Sequence, residues 1–310
     1  MLNRITAFVF FANYFVGLLA VALSVETAFQ LNIPLNAPAY YILLFCTTVF
    51  YYTIAYSGPV APKVSANPRT EWYRLHYRFV RVSQVILFSI CAVLGAWYLI
   101  ENLGGLLHLP LHYWLALSIV PLAAVLYYGL LPKSLISFNL RRTGWLKAFV
   151  IGFVWAGCVN LFPVAALKIE QGITAVEPSL MLWLFTKNWM FCTVNAIMFD
   201  MKDYVDDANI QLKTFAVRIG LRNTIYVVLI PLLLVGLFSF LAFAVYRHFG
   251  IPTILFNMVP FVCLLAVAFS LQRRQSILFY LIVIDGLLLV KALCGIAGSL
   301  FAHQTLIELW

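Results

Sequence analysis

The sequence predicts an all-α integral membrane protein, a single domain over residues 1–310 built as a bundle of nine transmembrane helices. Three observations carry that prediction: the apolar balance of the chain, the recurrence of apolar stretches about as long as a bilayer is thick, and the alternation of charge between the loops. Of the 310 residues, 64% are hydrophobic and only 10% charged, whereas a soluble domain carries about 25% charged residues. A water-soluble globule of this length has too little interior to hide such a load. With a mean hydropathy of +0.97, a disordered chain, a secreted disulfide scaffold and a nucleic-acid-binding module are all set aside. The net charge of +9 then reads as topology rather than as affinity for an anionic polymer, because Lys and Arg gather in the cytoplasmic loops of membrane proteins.

Taken in order, the predicted spans are 5–25, 38–56, 82–100, 113–131, 146–167, 180–199, 224–247, 252–271 and 277–301. The first follows Arg4 and resembles a signal peptide, but the chain continues into further spans rather than a soluble mature domain, so it is expected to stay. Strands are not expected, since the segments lack the dyad alternation of a membrane barrel. The loop after the second span holds Lys63, Arg69, Arg74, Arg78 and Arg81, and the loop after the fourth holds Lys133, Arg141, Arg142 and Lys147. The loop after the sixth holds Lys202, Lys213, Arg218 and Arg222, and the loop after the eighth Arg273 and Arg274. The intervening loops hold only Lys168 and Arg247. This asymmetry places the N-terminus and the basic loops on the cytoplasmic side, in a cytoplasmic (inner) type of membrane, and leaves the C-terminus on the other. The six cysteines stand singly in apolar runs without metal-ligand spacing and read as small buried hydrophobes.

Acidic residues are scarce, 11 in all, yet Asp200, Asp203, Asp206 and Asp207 fall together where the sixth span meets a basic loop. If the helix continues through them, Asp200, Asp203 and Asp207 share one face and Asp206 is rotated away. Carboxylates so placed repel unless a cation sits among them, and hard oxygen ligands suit Mg²⁺, commonly held by one or two carboxylates with substrate phosphates. The plainer reading is a solvated acidic stretch neutralised by Lys202, Lys213 and Arg218.

The run Asp200-Met-Lys-Asp203-Tyr-Val-Asp-Asp207, followed by Lys213-Thr214-Phe-Ala-Val217-Arg218-Ile-Gly220, resembles the second Asp-rich motif of the UbiA superfamily of intramembrane prenyltransferases. A weaker similarity covers Tyr127-Tyr-Gly-Leu-Leu-Pro132-Lys133 and Val150-Ile-Gly-Phe-Val-Trp155-Ala. The resemblance implies a UbiA-like nine-helix bundle that transfers a prenyl group from an isoprenoid diphosphate to a lipophilic or aromatic acceptor. It implies Mg²⁺ on Asp203 and Asp207 with assistance from Asp200, these three being the catalytic set, and contacts from Tyr127, Lys133 and Lys213 to the diphosphate. The chain departs from the family pattern where the first Asp-rich motif belongs: no carboxylate occurs between Glu26 and Glu71. Gln211 stands where the pattern has Gly, and Phe199 where it tends to have Asn. In place of the missing motif stands a basic stretch, in which Arg69, Arg74 and Arg78 are candidates to meet the diphosphate directly, since guanidinium matches phosphate in a bidentate fork. The same stretch suits anionic lipid headgroups.

Two other functions stay open: a catalytically degenerate relative that binds or moves a lipid or phosphate-bearing ligand, and a secondary transporter, the latter weakened because the carboxylates sit at a helix end and not at the bilayer midplane. Asp285 and Lys291, in the ninth span, are expected to serve helix packing, and Lys187 to snorkel outward. The topology predicts that cysteines introduced singly at Ser65, Ser137 and Asn209 label with an impermeant reagent from the cytoplasmic side, and those at Asn32 and Gly172 from the other. Mixed sidedness within either group is incompatible with nine spans.

Overall fold

The computed structural model describes residues 4–57, 68–128, 144–173, 176–209 and 211–307. Among these there is no strand, as expected where every backbone group must be satisfied inside its own segment. The helices are α1 (Arg4–Phe11), α2 (Tyr14–Leu31), α3 (Pro38–Ser57), α4 (Pro68–Leu75), α5 (Tyr77–Glu101), α6 (Leu103–Leu107) and α7 (Leu111–Tyr128). Next comes a rod in which α8 (Leu146–Ala156) runs through a π-helical turn, Gly157–Leu161, into α9 (Phe162–Gln171). The long α10 (Pro178–Lys202) is followed by three short helices, α11 (Tyr204–Asn209), α12 (Phe215–Ile219) and α13 (Leu221–Asn223). A second π turn, Thr224–Leu229, leads into α14 (Ile230–Tyr246), then α15 (Ile251–Ser270), and a third, Phe279–Ile284, into α16 (Asp285–Ile307).

Each predicted span overlaps a helix, but not all of these helices have the character of a span. Among the described residues, six segments are long and apolar enough to cross a membrane: Tyr14–Leu31, Tyr77–Glu101, Leu146–Gln171, Leu221–Tyr246, Ile251–Ser270 and Phe279–Phe301. The apolar parts of α3 and α7 are shorter, Pro38–Ile54 and Leu111–Tyr127. The 25-residue α10 has length enough, but it carries Lys187, Asn188, Asn195, Asp200 and Lys202. The first expected span is also displaced. The chain breaks after α1 because Asn13 adopts a left-handed conformation (φ 66°), and the spanning helix starts at Tyr14, not at residue 5. Asn tolerates that conformation better than other residues with a Cβ, and here its side chain is used inward.

Neighbouring helices pack in the series α5–α3–α2–α16–α15–α14–α10–α8–α7, with α2 also touching α10 and the π turn of the rod across the middle. The main core is made by Leu19, Leu23, Trp155, Phe191, Ile197, Leu229, Phe240 and Ile284 from these inner faces. Outer faces are apolar and exposed: only 11% of the apolar window of α5 is buried, as suits a surface against lipid. Cys46 and Cys192 are buried as expected, whereas Cys91, Cys158, Cys263 and Cys294 are only half-buried.

The most extensive helix pair is α8 against α10. A Cβ on Gly152 would stand 2.3 Å from Thr193 Oγ1 and 2.8 Å from both Thr193 N and Trp189 O, so only glycine lets the two backbones approach this closely. Gly152→Ala is therefore expected to destabilise the bundle by about 1–3 kcal/mol, the range for overpacking a tight contact, read as a lower thermal midpoint in detergent. An unchanged midpoint is incompatible with this approach.

Candidate functional site

The junction of α8 and α10 also brings the acidic run together, through a residue the sequence analysis had counted only as a loop charge. Lys147, in the first turn of α8, lies 2.9 Å from Asp200 Oδ1 and donates to Asp207 Oδ2 at 3.1 Å. All three side chains are at most a tenth exposed. The start of α8 is held in place by the segment after the acidic run. Gly144 (φ 63°) lies so close to the Lys213 carbonyl that a Cβ would sit 2.4 Å from that oxygen. Thr214 caps α12, its hydroxyl accepting from Val217 N. Nothing local announces Lys147: it opens an apolar run and stands 60 residues from Asp207.

The helix does not continue unbroken through the acidic run. It turns at Asp203 and resumes at Tyr204. Asp203, with a side chain 39% exposed, pairs with the neighbouring Lys202, while Asp200 and Asp207 turn to Lys147. Lys202 is thus one of the neutralising partners the plainer reading named, and Lys147 replaces the others for the buried pair. Gln211 adopts φ 56°, which accounts for glycine in the corresponding position of the pattern.

The basic stretch divides. Arg69 is buried: Nε donates to the Phe11 carbonyl at 3.0 Å, Nη1 to Tyr56 Oη at 3.2 Å and Nη2 to Asn13 Oδ1, while the guanidinium lies 4.3 Å over the Tyr56 ring. Asn13 in turn donates to Thr53 Oγ1 and Tyr73 Oη. Arg69 thus ties α4 to the break between α1 and α2, and it also interacts electrostatically with Asp285. Arg74 is exposed and paired with Glu71 at 2.6 Å, which holds the Glu71 carboxyl below its usual range. Arg78 is exposed. Lys213 is exposed and Tyr127 half-buried, while Lys133 and residues 58–67 lie outside the described residues; so does the orientation of the Asp206 side chain.

A second charged cluster lies further along α10. Lys291 pairs with Glu26 at 2.6 Å, both almost fully buried, so its partner is on α2 and not Asp285. Lys187 does not snorkel outward. It is buried, donating to Gln30 Oε1 at 3.0 Å and Asn257 Oδ1 at 3.1 Å, with its ammonium 4.7 Å over the Trp183 ring. Glu26 and Gln30, on the first true span, gave no signal beyond being polar in an apolar run.

A family model described as the UbiA prenyltransferase family matches residues 65–282. The chain belongs to that family. The matched region includes α4, both partners of the α8–α10 junction and the whole acidic run. No curated protein and no solved structure matches the chain. Together with the long apolar helices, UbiA membership makes this an integral membrane protein.

UbiA prenyltransferases generally use Mg²⁺ held through Asp-rich motifs. Among the described residues, no three His, Cys, Asp or Glu side chains converge as a ready-made metal cage. The donors present do suit an ion that arrives with a phosphate-bearing substrate, because Mg²⁺ needs only one or two carboxylates beside water and phosphate oxygens. Asp203 is accessible, and Asp200 Oδ2 is buried without a hydrogen-bond partner, an arrangement that is costly unless some ligand completes it.

The division of the arginines has a measurable consequence. Arg69→Gln is expected to destabilise by at least about 1.5–3 kcal/mol, the worth of a buried charged hydrogen bond, lowering the thermal midpoint. Arg74→Gln and Arg78→Gln are expected to leave the midpoint unchanged, because exposed pairs contribute little. Equal midpoints for all three variants would contradict the buried placement of Arg69.

Proposed function

We propose that this protein is a membrane prenyltransferase that moves a prenyl group from an isoprenoid diphosphate to a lipophilic or aromatic acceptor. The observation that carries this reading is the convergence of Asp200 and Asp207 on Lys147 at the polar end of α10, inside the stretch matched to the family. The nine-span topology, with the N-terminus and the acidic run on the cytoplasmic side of an inner-type membrane, belongs to the same proposal and rests on the loop charges.

In the proposed reaction the bond between the prenyl C1 and the bridging diphosphate oxygen breaks, its electron pair leaving with the diphosphate. A bond forms between C1 and a nucleophilic carbon of the acceptor, which then releases a proton. The chain's task is to receive developing negative charge and to keep the allylic cation from water. Lys213 and Lys133 contact the diphosphate, Tyr127 orients it, and Arg74 on α4 and Arg78 on α5 approach it in place of carboxylates. Arg69, by fixing α4 against Asn13, positions them without touching substrate. Asp203 and Asp200, with Asp207 behind them, would hold Mg²⁺, which supplies further charge neutralisation on the leaving group when bound. Membrane lipid surrounds the bundle and supplies the route by which lipophilic acceptors reach it.

A second reading is favoured by one specific observation, the absence of any carboxylate between Glu26 and Glu71: a family member that binds an isoprenoid or other phosphate-bearing lipid without turning it over.

Purified protein supplied with Mg²⁺, a series of isoprenoid diphosphates and a membrane-extracted acceptor pool is expected to release pyrophosphate. Asp203→Asn and Asp207→Asn are each expected to lower that rate at least a hundredfold, and Asp206→Asn only a few-fold. No release with any donor, alongside a donor-dependent rise in melting temperature, moves the conclusion to the binding protein. Equal losses at all three positions would mean that the run acts as diffuse charge.

A further inference from the structure

The ammonium between Asp200 and Asp207 has no counterpart in the Asp-rich pattern by which the motif was recognised. Lys147 stands on a different helix from the two carboxylates, and the approach of that helix is set by glycines at both levels: Gly144 against the Lys213 carbonyl and Gly152 against the Thr193 backbone. Its contacts, 2.9 Å and 3.1 Å, take one oxygen of each carboxylate. Asp200 Oδ2 is left buried and without a partner, and Asp203 is left to its sequence neighbour Lys202.

We propose that Lys147 is a tethered cation of this site, supplying by a side chain the positive charge that a second divalent ion would otherwise bring, so that the acidic run takes up a single divalent ion together with diphosphate. Two ammonium groups meet the run, Lys147 on Asp200 and Asp207 and Lys202 on Asp203, and the loop after α3 adds no carboxylate, since the chain has none between Glu26 and Glu71. In a chain without carboxylates in the loop after α3, the buried ammonium takes the place that a second ion would otherwise fill. Lys147 acts here as a positioning residue: it holds one oxygen of Asp200 and one of Asp207 and leaves Asp200 Oδ2 and Asp203 for the ion. The inference rests on the reading of this site as a diphosphate site.

The test counts ions and needs no turnover. Full-length protein in detergent is titrated with Mn²⁺ in the presence of inorganic pyrophosphate, and protein-dependent Mn²⁺ is followed by its paramagnetic resonance, corrected for Mn²⁺ held by pyrophosphate alone. The unmodified protein is expected to bind one Mn²⁺ per chain. Lys147→Met, which removes the ammonium from between Asp200 and Asp207, is expected to bind two, and Lys147→Arg, which keeps the charge, one. Asp203→Asn is expected to weaken the single site at least tenfold. A count other than one for the unmodified protein, or the same count and affinity for Lys147→Met as for the unmodified protein, overturns the proposal. If Lys147→Met is too unstable to titrate directly, it is purified with and without Mn²⁺. A rise of several degrees in its melting temperature, larger than in Lys147→Arg, supports the tethered cation, and no rise overturns it. Failure of prenyl transfer with the expected counts removes the proposed function and leaves this inference; transfer with unchanged counts does the reverse.

Discussion

Charge placed inside an apolar bundle must be compensated where it stands, and the Lys147 bridge to Asp200 and Asp207 meets that demand with two carboxylates at once. Removing one member of a buried ion set costs about 3–5 kcal/mol because the remainder stays uncompensated. The bridge therefore ties the start of α8 to the end of α10 and to α11. Its geometry requires that the two helices lie close, which Gly152 permits, and that the start of α8 lie against the chain beyond the acidic run, which Gly144 permits. The polar end of the bundle and its tightest helix pair are thus one construction.

The same demand is met twice more by different means. At the break between α1 and α2, Arg69 has neutral acceptors and an aromatic face, with Asn13 as the hub, and the charge of Asp285 nearby. In the α2–α10–α15–α16 cluster, Lys291 has a carboxylate in Glu26, while Lys187 has two amide oxygens and the Trp183 ring. Each cluster joins segments distant in sequence, up to 265 residues for Lys291 and Glu26. Apolar packing between helices and lipid is weakly directional, so such polar contacts are what select one arrangement of the helices over others.

Much of this architecture was legible in the sequence where the signal is local. Apolar runs gave the helices, and the spacing of Asp200, Asp203 and Asp207 with Lys213-Thr214 gave the motif that the family match contains. What escaped reading was set by contacts across the bundle. Lys147 looks like any base at a span's edge, because its partners lie on another helix. Lys187 looks like a residue that would reach for water, because the amides that receive it come from α2 and α15. The first span starts later than the apolar run does, since nothing in that run gives a sign that Asn13 turns left-handed to serve Arg69. The turn at Asp203 was likewise invisible, as helical spacing persists in the letters after the helix has bent.

The π turn at Gly157–Leu161 bears on how chains of this family are compared. A π turn is in effect one residue inserted into an α-helix, so the halves of the rod on either side of it are rotated by about 100° relative to an unbroken helix. In this way one half can aim Lys147 toward α10 while the other turns Glu170 toward Tyr98 and the Ala37 backbone. A homologous chain one residue shorter here would keep both ends of the rod recognisable and yet show only one of them to its partner. In an alignment, a single gap at 157–161 thus marks a change in which faces of the rod are used, a difference far larger than the loss of one side chain.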